Sequence, residues 1–187
     1  MVQRMRFLES GLAGMFRIQT IPHADARGRF SRLFCQAEFT AIRPGLQFLQ
    51  ANLSRTRFRG TVRGMHFQYP PAAEAKLIHC VRGAVFDVAV DLRAGSPTFG
   101  QWVGTELGED NDSGVFIPEG FAHGFQALTD NAELLYFHTA PYAPGMEGGI
   151  RFDDPQVAIR WPIAPEHVSD RDLRLPLLAA GFSGIVK

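Results

Sequence analysis

Lysine is nearly missing from this chain of 187 residues. Nineteen are basic, but 17 of those are arginine, and the two lysines are Lys76 and the C-terminal Lys187. Net charge is missing as well, because 19 acids balance the 19 bases. A neutral chain lacks the basic excess of nucleic-acid and membrane-surface binders, so neither partner is expected. Cysteine is scarce: Cys35 and Cys80 stand far apart and in no metal-ligand spacing. They read as two thiols in a reducing compartment, which makes the cytoplasm the default location. No apolar run approaches the roughly 18 residues that a membrane-spanning helix needs. Residues 1–18 are broken by Arg6, Glu9 and Arg17 and lack a secretory h-region.

What is present is an ordinary globular composition, 45% hydrophobic and 20% charged, at a length suited to a single domain over 1–187. The charges are unevenly placed. Residues 1–63 hold eleven arginines and three acids, a net +8; residues 64–187 hold six arginines, two lysines and sixteen acids, a net −8. Arginine suits bidentate contacts to phosphate and carboxylate, so the basic first third is a candidate anion site.

Nineteen glycines, twelve prolines and sixteen phenylalanines are spread over many short apolar stretches. That pattern predicts an all-β sandwich or barrel. Short strands are expected in 1–35, broken by a turn at His23–Gly28. Residues 36–43 predict a short helix stopped by Pro44-Gly45, and 46–54 an extended segment. Strands follow at 61–68, 76–82, 84–92, 98–107 and 114–118, the second and third meeting at Gly83. Tyr69-Pro70-Pro71 cannot continue a central ladder, because proline donates no N–H. Residues 122–128 and 133–139 read as a hairpin around Thr129-Asp130-Asn131, and 165–180 as one or two helical turns.

Side chains of equal parity share a strand face. If 61–68 pairs with 76–82, His66 and Lys76 lie nearly opposite. In the later hairpin, His123 and Phe125 face Tyr136 and His138. One face then collects His66, Lys76, His123 and Tyr136, and a one-residue slip would reverse this.

Each polar residue has a plain reading beside a chemical one. His66 is a structural histidine, a general base or a metal ligand. Gln68 stands where metal-binding cupins carry their second histidine, and an imidazole followed by an amide is a poor transition-metal site. The stretch Gly114-Val-Phe-Ile-Pro118-Glu-Gly120-Phe-Ala-His123 nevertheless resembles the second cupin motif, Pro-x-Gly-x-x-His. Lys76 is either solvated, as most lysines are, or a compact ammonium retained for a purpose in an arginine-using chain. Tyr136 is a buried phenol with a bonded tip or an acid/base group. Asp172 is a helix cap or a carboxylate that orients His66. Arg27 and Arg63 are surface charges or, beside a pocket, ligands for a diphosphate.

Taken together, several segments resemble one family. They are Arg63-Gly-Met-His66-Phe-Gln, Lys76, Val85–Arg93, Ser96-Pro-Thr-Phe-Gly-Gln-Trp102 and Ile117-Pro-Glu-Gly-Phe-Ala-His-Gly-Phe125. Leu135-Tyr136, Tyr142-Ala-Pro144, Glu147-Gly-Gly-Ile-Arg151, Asp154-Pro155 and Trp161-Pro162 belong with them. The chain is similar, from Asp25 to Asp172, to the dTDP-4-dehydrorhamnose 3,5-epimerases and related nucleotide-hexulose epimerases. The resemblance implies a metal-free cupin-type jelly-roll β-barrel with short helices at the C-terminal end. It implies a homodimer with N-terminal strands, about 1–55, at the interface. It implies a nucleotide-diphospho-4-keto-6-deoxyhexose substrate and no cofactor. His66 matches the family's base, Tyr136 its acid, Asp172 the dyad aspartate and Lys76 the lysine at the keto oxygen. Arg27, Gln50, Asn52, Arg63, His123, Glu147 and Arg171 fall at substrate-binding positions, Arg171 in place of a lysine. Arg32 departs from the family's frequent glutamate at its position, and Phe137 from a common lysine. The expected chemistry is epimerisation beside a ketone in deoxysugar biosynthesis. The alternatives are a 3- or 5-only epimerase or ketoisomerase on a dTDP- or CDP-hexulose, and a non-catalytic sugar-nucleotide-binding cupin.

Overall fold

Alternation along the strands decides the architecture. In Lys76-Leu77-Ile78-His79-Cys80, Ile78 and Cys80 join a core cluster with Val85, Ala89, Phe125 and Leu134, while Leu77 joins a separate cluster with Phe39 and Phe116. A strand that buries both faces must lie in a layered structure.

The computed structural model describes residues 3–179 and 181–186. The chain runs through β1 (Met5–Glu9), β2 (Phe16–Thr20), β3 (His23–Asp25), β4 (Gly28–Phe30), α1 (Gln36–Phe39), β5 (Gln50–Thr56), β6 (Val62–Gln68) and β7 (Lys76–Arg82). It continues with β8 (Ala84–Asp91), β9 (Trp102–Gly108), β10 (Ser113–Ile117), β11 (Phe121–Ala127), β12 (Ala132–His138), β13 (Glu147–Gly149) and α2 (Asp170–Leu173). One sheet has the order β1-β2-β10-β7-β12-β5 and the other β13-β6-β11-β8-β9, with β3–β4 a separate hairpin. All strand pairs in these sheets are antiparallel. Two antiparallel sheets packed face to face form the expected cupin-like all-β fold.

Three apolar layers follow. The first lies between the sheets. The second covers the outer face of the five-stranded sheet, where Met65, Phe67, Val88 and Val90 meet Ile150, Val157, Leu178 and Ile185 from the C-terminal segment. The third covers the outer face of the six-stranded sheet, where Phe34, Phe39, Leu46 and Phe48 close over Met5, Ile18, Leu77 and Phe116. Seven of the sixteen phenylalanines lie there: edge-to-face pairs such as Phe7–Phe39 (5.1 Å) and Phe34–Phe48 (5.1 Å) fill it.

Two expected pairings are corrected. β6 does not pair with β7, nor β11 with β12; in each case the two strands belong to opposite sheets. Gly83 at φ 68° and Asn131 at φ 54° are therefore corners where the chain crosses between sheets. A left-handed turn residue between two apolar strands looks the same in a sequence whether it closes a hairpin or turns a corner.

Candidate active site

Between the sheets the inward side chains change from apolar to polar at one end. There lies a cavity of about 300 Å³ lined by His66, Lys76, His123 and Tyr136. Arg63, Phe125 and His138 also line it, and β5 closes one side with Asn52, Leu53 and Ser54. The four residues expected on one face are thus brought together, but across the sandwich. His66 is the cross-strand neighbour of His123 on β6 and β11. Tyr136 and Lys76 come from the facing sheet, where Lys76 lies opposite His138.

The His66–Asp172 dyad is present. His66 Nε2 lies 2.7 Å from Asp172 Oδ1. Ser169 caps α2 by accepting the Asp172 N–H, so the Asp172 carboxylate is left to turn inward. Its Oδ2 accepts the N–H of Gly64. Gly64 sits at φ 130°, and a Cβ there would stand 2.6 Å from Gly124 Cα, so glycine is required for β6 and β11 to approach. Burial pushes the Asp172 carboxyl up, but the His66 bond and charge with the Gly64 and Ser169 bonds outweigh it and hold it below its ordinary value. An ionised carboxylate only accepts, so the shared proton sits on Nε2, and Nδ1 of His66 carries the free lone pair.

Tyr136 is buried, its ring packed in the core between the sheets. Its hydroxyl makes no hydrogen bond among the described residues. Burial, with Asp87 nearby, pushes this phenol well above its ordinary value, so it is held protonated. His123 Nε2 lies 2.8 Å from Asp87 Oδ2. Burial favours the neutral His123 ring and outweighs the opposing pull of Asp87. Lys76 is not a solvated residue: it is 8% exposed, with Nζ 3.3 Å from Glu74 Oε1.

The remaining expected residues divide. Arg63 and Asn52 line the cavity. Arg171 lines an adjoining hollow of about 370 Å³, with Ser169 and His167, that reaches Arg63, His66 and Asp172. Glu147 accepts from Arg171 (2.6 Å) and from the Tyr142 hydroxyl (2.9 Å). Gln50 lies at the start of β5 and accepts from the Tyr142 N–H. Arg27 is not brought to the cavity of its own chain; it is exposed on the β3–β4 turn and paired with Asp25. Arg32 is accounted for: it pairs with Glu38 at 2.7 Å, and Glu38 also accepts the N–H groups of Arg4 and Met5. Gln68 is a structural pin, donating to Ala72 and Pro141 and accepting from Ala143. Among the described residues, no group of three His, Cys, Asp or Glu side chains could hold a metal ion.

Sequence reasoning missed Glu74, Asp87 and His138 as site residues. The signal for Asp87 was an acid at an inward position of an apolar strand. Glu74, in the loop before β7, had none.

A cupin-like sandwich whose interior holds an imidazole–carboxylate dyad, a buried ammonium and a protonated phenol defines a proton-transfer enzyme. The comparisons narrow the class. The family model described as dTDP-4-dehydrorhamnose 3,5-epimerase matches residues 9–180. A dTDP-4-dehydrorhamnose 3,5-epimerase of Sinorhizobium fredii is 40% identical over 95% of this chain and 91% of its own. A dTDP-4-dehydrorhamnose 3-epimerase of Streptomyces niveus is 44% identical over 94% of this chain and 84% of its own. The crystal structure of a dTDP-6-deoxy-D-glucose-3,5-epimerase of Legionella pneumophila, in complex with dTDP-4-keto-L-rhamnose, is 38% identical with a TM-score of 0.88, covering 93% of each chain. The chain belongs to the dTDP-4-dehydrorhamnose 3,5-epimerase family, and is an isomerase of the epimerase type.

Proposed function

We propose that the protein inverts C3 and C5 of a dTDP-linked 4-keto-6-deoxyhexose by proton removal and return beside the ketone. The observation that carries the reading is the His66–Asp172 dyad opening onto the same cavity as Lys76 and Tyr136. A C–H bond beside a ketone yields to a positioned base only if the enolate is stabilised. His66 Nδ1 takes the proton, and Asp172 steadies the imidazolium that forms. Lys76 faces the developing enolate oxygen, where preorganised charge contributes a few kcal/mol, about 3. Tyr136, protonated, returns a proton to the opposite face. General acid–base steps of this kind are worth about 10²–10⁴-fold each. No step needs a cofactor.

Arg63, Asn52 and His123 are assigned to the substrate at the cavity, and Arg171, Glu147 and Gln50 at its margin. The diphosphate falls to Arg63 and to Arg27 of a second copy, because β3 and β4 are exposed along their whole length and Phe30 is 79% exposed. This assignment makes the proposed enzyme a homodimer. Cys35 and Cys80, both free, support a cytoplasmic location.

Incubation with dTDP-4-keto-6-deoxyglucose in D₂O is expected to place deuterium at C3 and C5, read by NMR. A sugar that takes up no solvent deuterium sinks the reading. Inversion at C3 alone is the second reading, favoured by the Streptomyces niveus relative's name; deuterium confined to C3 would select it.

A further inference from the structure

The proposed chemistry uses Lys76 and Tyr136 but leaves unexplained two ionisable side chains packed against them. Glu74 precedes β7, and His138 ends β12 directly opposite Lys76. Glu74 spans the two strands. Its Oε1 is 3.3 Å from Lys76 Nζ and its Oε2 is 2.8 Å from His138 Nδ1. The three side chains are 10–13% exposed. The His138 ring lies flat against the Tyr136 ring, with centroids 5.7 Å apart and planes 16° from parallel. Lys76, His138 and Tyr136 all reach the cavity.

The arrangement has mechanical consequences. Burial opposes ionisation of Glu74, but the bond from His138 and the charge of Lys76 outweigh it and hold its carboxyl below the ordinary range. As a carboxylate it only accepts, so His138 Nδ1 carries a proton and the ring has one favoured orientation. The other nitrogen, Nε2, has no partner among the described residues. Lysine's long flexible stem does not by itself hold an ammonium in one place. Here the second end of the same carboxylate does so. Glu74 also supplies negative charge behind Lys76, which shares the cavity with Arg63, His66 and His123.

We propose that Glu74 and His138 act as a positioning couple for the reaction. Glu74 fixes the Lys76 ammonium where the enolate oxygen develops, and His138 backs the ring of the proton-returning Tyr136. The proposal rests on the epimerase reading above.

The test compares Glu74→Gln, Glu74→Asp and His138→Gln with the parent in D₂O, with circular dichroism to confirm folding. Glu74→Gln keeps the size but not the charge. It is expected to lower kcat between about tenfold and about a hundredfold, the scale of a misplaced catalytic group. KM should change little, because the lost interaction forms in the transition state. Deuterium uptake should slow in parallel, since the enolate forms in the first step. Glu74→Asp, still anionic, should recover part of the loss. His138→Gln should slow product formation more than uptake, so that labelled but uninverted substrate accumulates. If folded Glu74→Gln matches the parent in both kcat and uptake, the couple is refuted. If the parent itself takes up no deuterium, the epimerase reading falls and the couple with it.

Discussion

The Tyr136 hydroxyl holds nothing in the fold, since no described residue bonds it, whereas the ring is packed in the core between the sheets. Tyr136→Phe keeps the ring and its stack on His138. Unfolding should therefore shift by less than about 0.5 kcal/mol, as for substitutions that remove no packing and orphan no partner. Product formation should fall by about 10²–10⁴-fold. Thermal melting and an NMR product assay on one preparation check both halves. A large loss of stability would mean that the phenol is structural. Sequence alone left Tyr136 open between these roles, because a bonded and an unbonded phenol are written with the same letter. Lys76 was more legible: one interior lysine among seventeen arginines is itself a signal. Asp172 was legible only through the family resemblance, because its partner His66 lies 106 residues earlier in the chain.

At the scale of elements, strands were read well and their partners poorly. Residues 61–68, 76–82 and 84–92 lie within a residue of β6, β7 and β8. The expected hairpins were wrong, yet the four side chains they gathered do line one cavity. Parity explains this: a strand's inward set is fixed by the alternation of its own residues, whichever neighbour it bonds. His66 and Lys76 both point between the sheets, and so meet whether they are side by side or face to face. The connection from β8 to β9, two neighbouring strands of one sheet, offers a test of what pins a loop. Asp91 at the end of β8 is fully buried and accepts from the Arg93 side chain and N–H, Ser96 Oγ and Thr98 Oγ1. Burial raises its carboxyl, but the bonds from Arg93, Ser96 and Thr98 outweigh that and bring it to about 2 from 3.8. A carboxyl depressed on folding stabilises above its unfolded value, and that contribution is lost as pH falls through the folded one. Asp91→Asn should cost about 2–3 kcal/mol at pH 7. The gap between variant and parent in urea midpoints should close between pH 4 and about 2. A gap independent of pH would assign the cost to packing.

At the scale of the molecule, the split of +8 and −8 is used partly within the chain. Arg29 pairs with Asp110 and Asp112, Arg43 with Glu119, and Arg55 with Glu133. Exposed pairs of this kind contribute little stability, so they orient the N-terminal segments more than they hold them. Arg27 stands apart: its side chain is 89% exposed and, among the described residues, tied only to Asp25 on its own turn. The edge strand β5 walls the cavity, and Leu49 just before it and Leu53 within it are 63% and 47% exposed. A second copy seated there, with its β3–β4 hairpin reaching across, would deliver Arg27 to a diphosphate held by Arg63. In a two-fold dimer each site then draws His66 from one protomer and Arg27 from the other. This can be tested by complementation. Arg27→Ala should raise KM, and His66→Ala should be inactive. Co-expressed with different tags and purified as the mixed dimer, the two variants should leave one of two sites whole. That site combines the His66 of the Arg27→Ala chain with the Arg27 of its partner, so activity should return to about half the parental value with parental KM. If Arg27 instead served its own chain, no site in the mixed dimer would be whole. Activity would then stay at about half the weakened level of the Arg27→Ala dimer, with its raised KM, and the exchange of hairpins between protomers would be refuted.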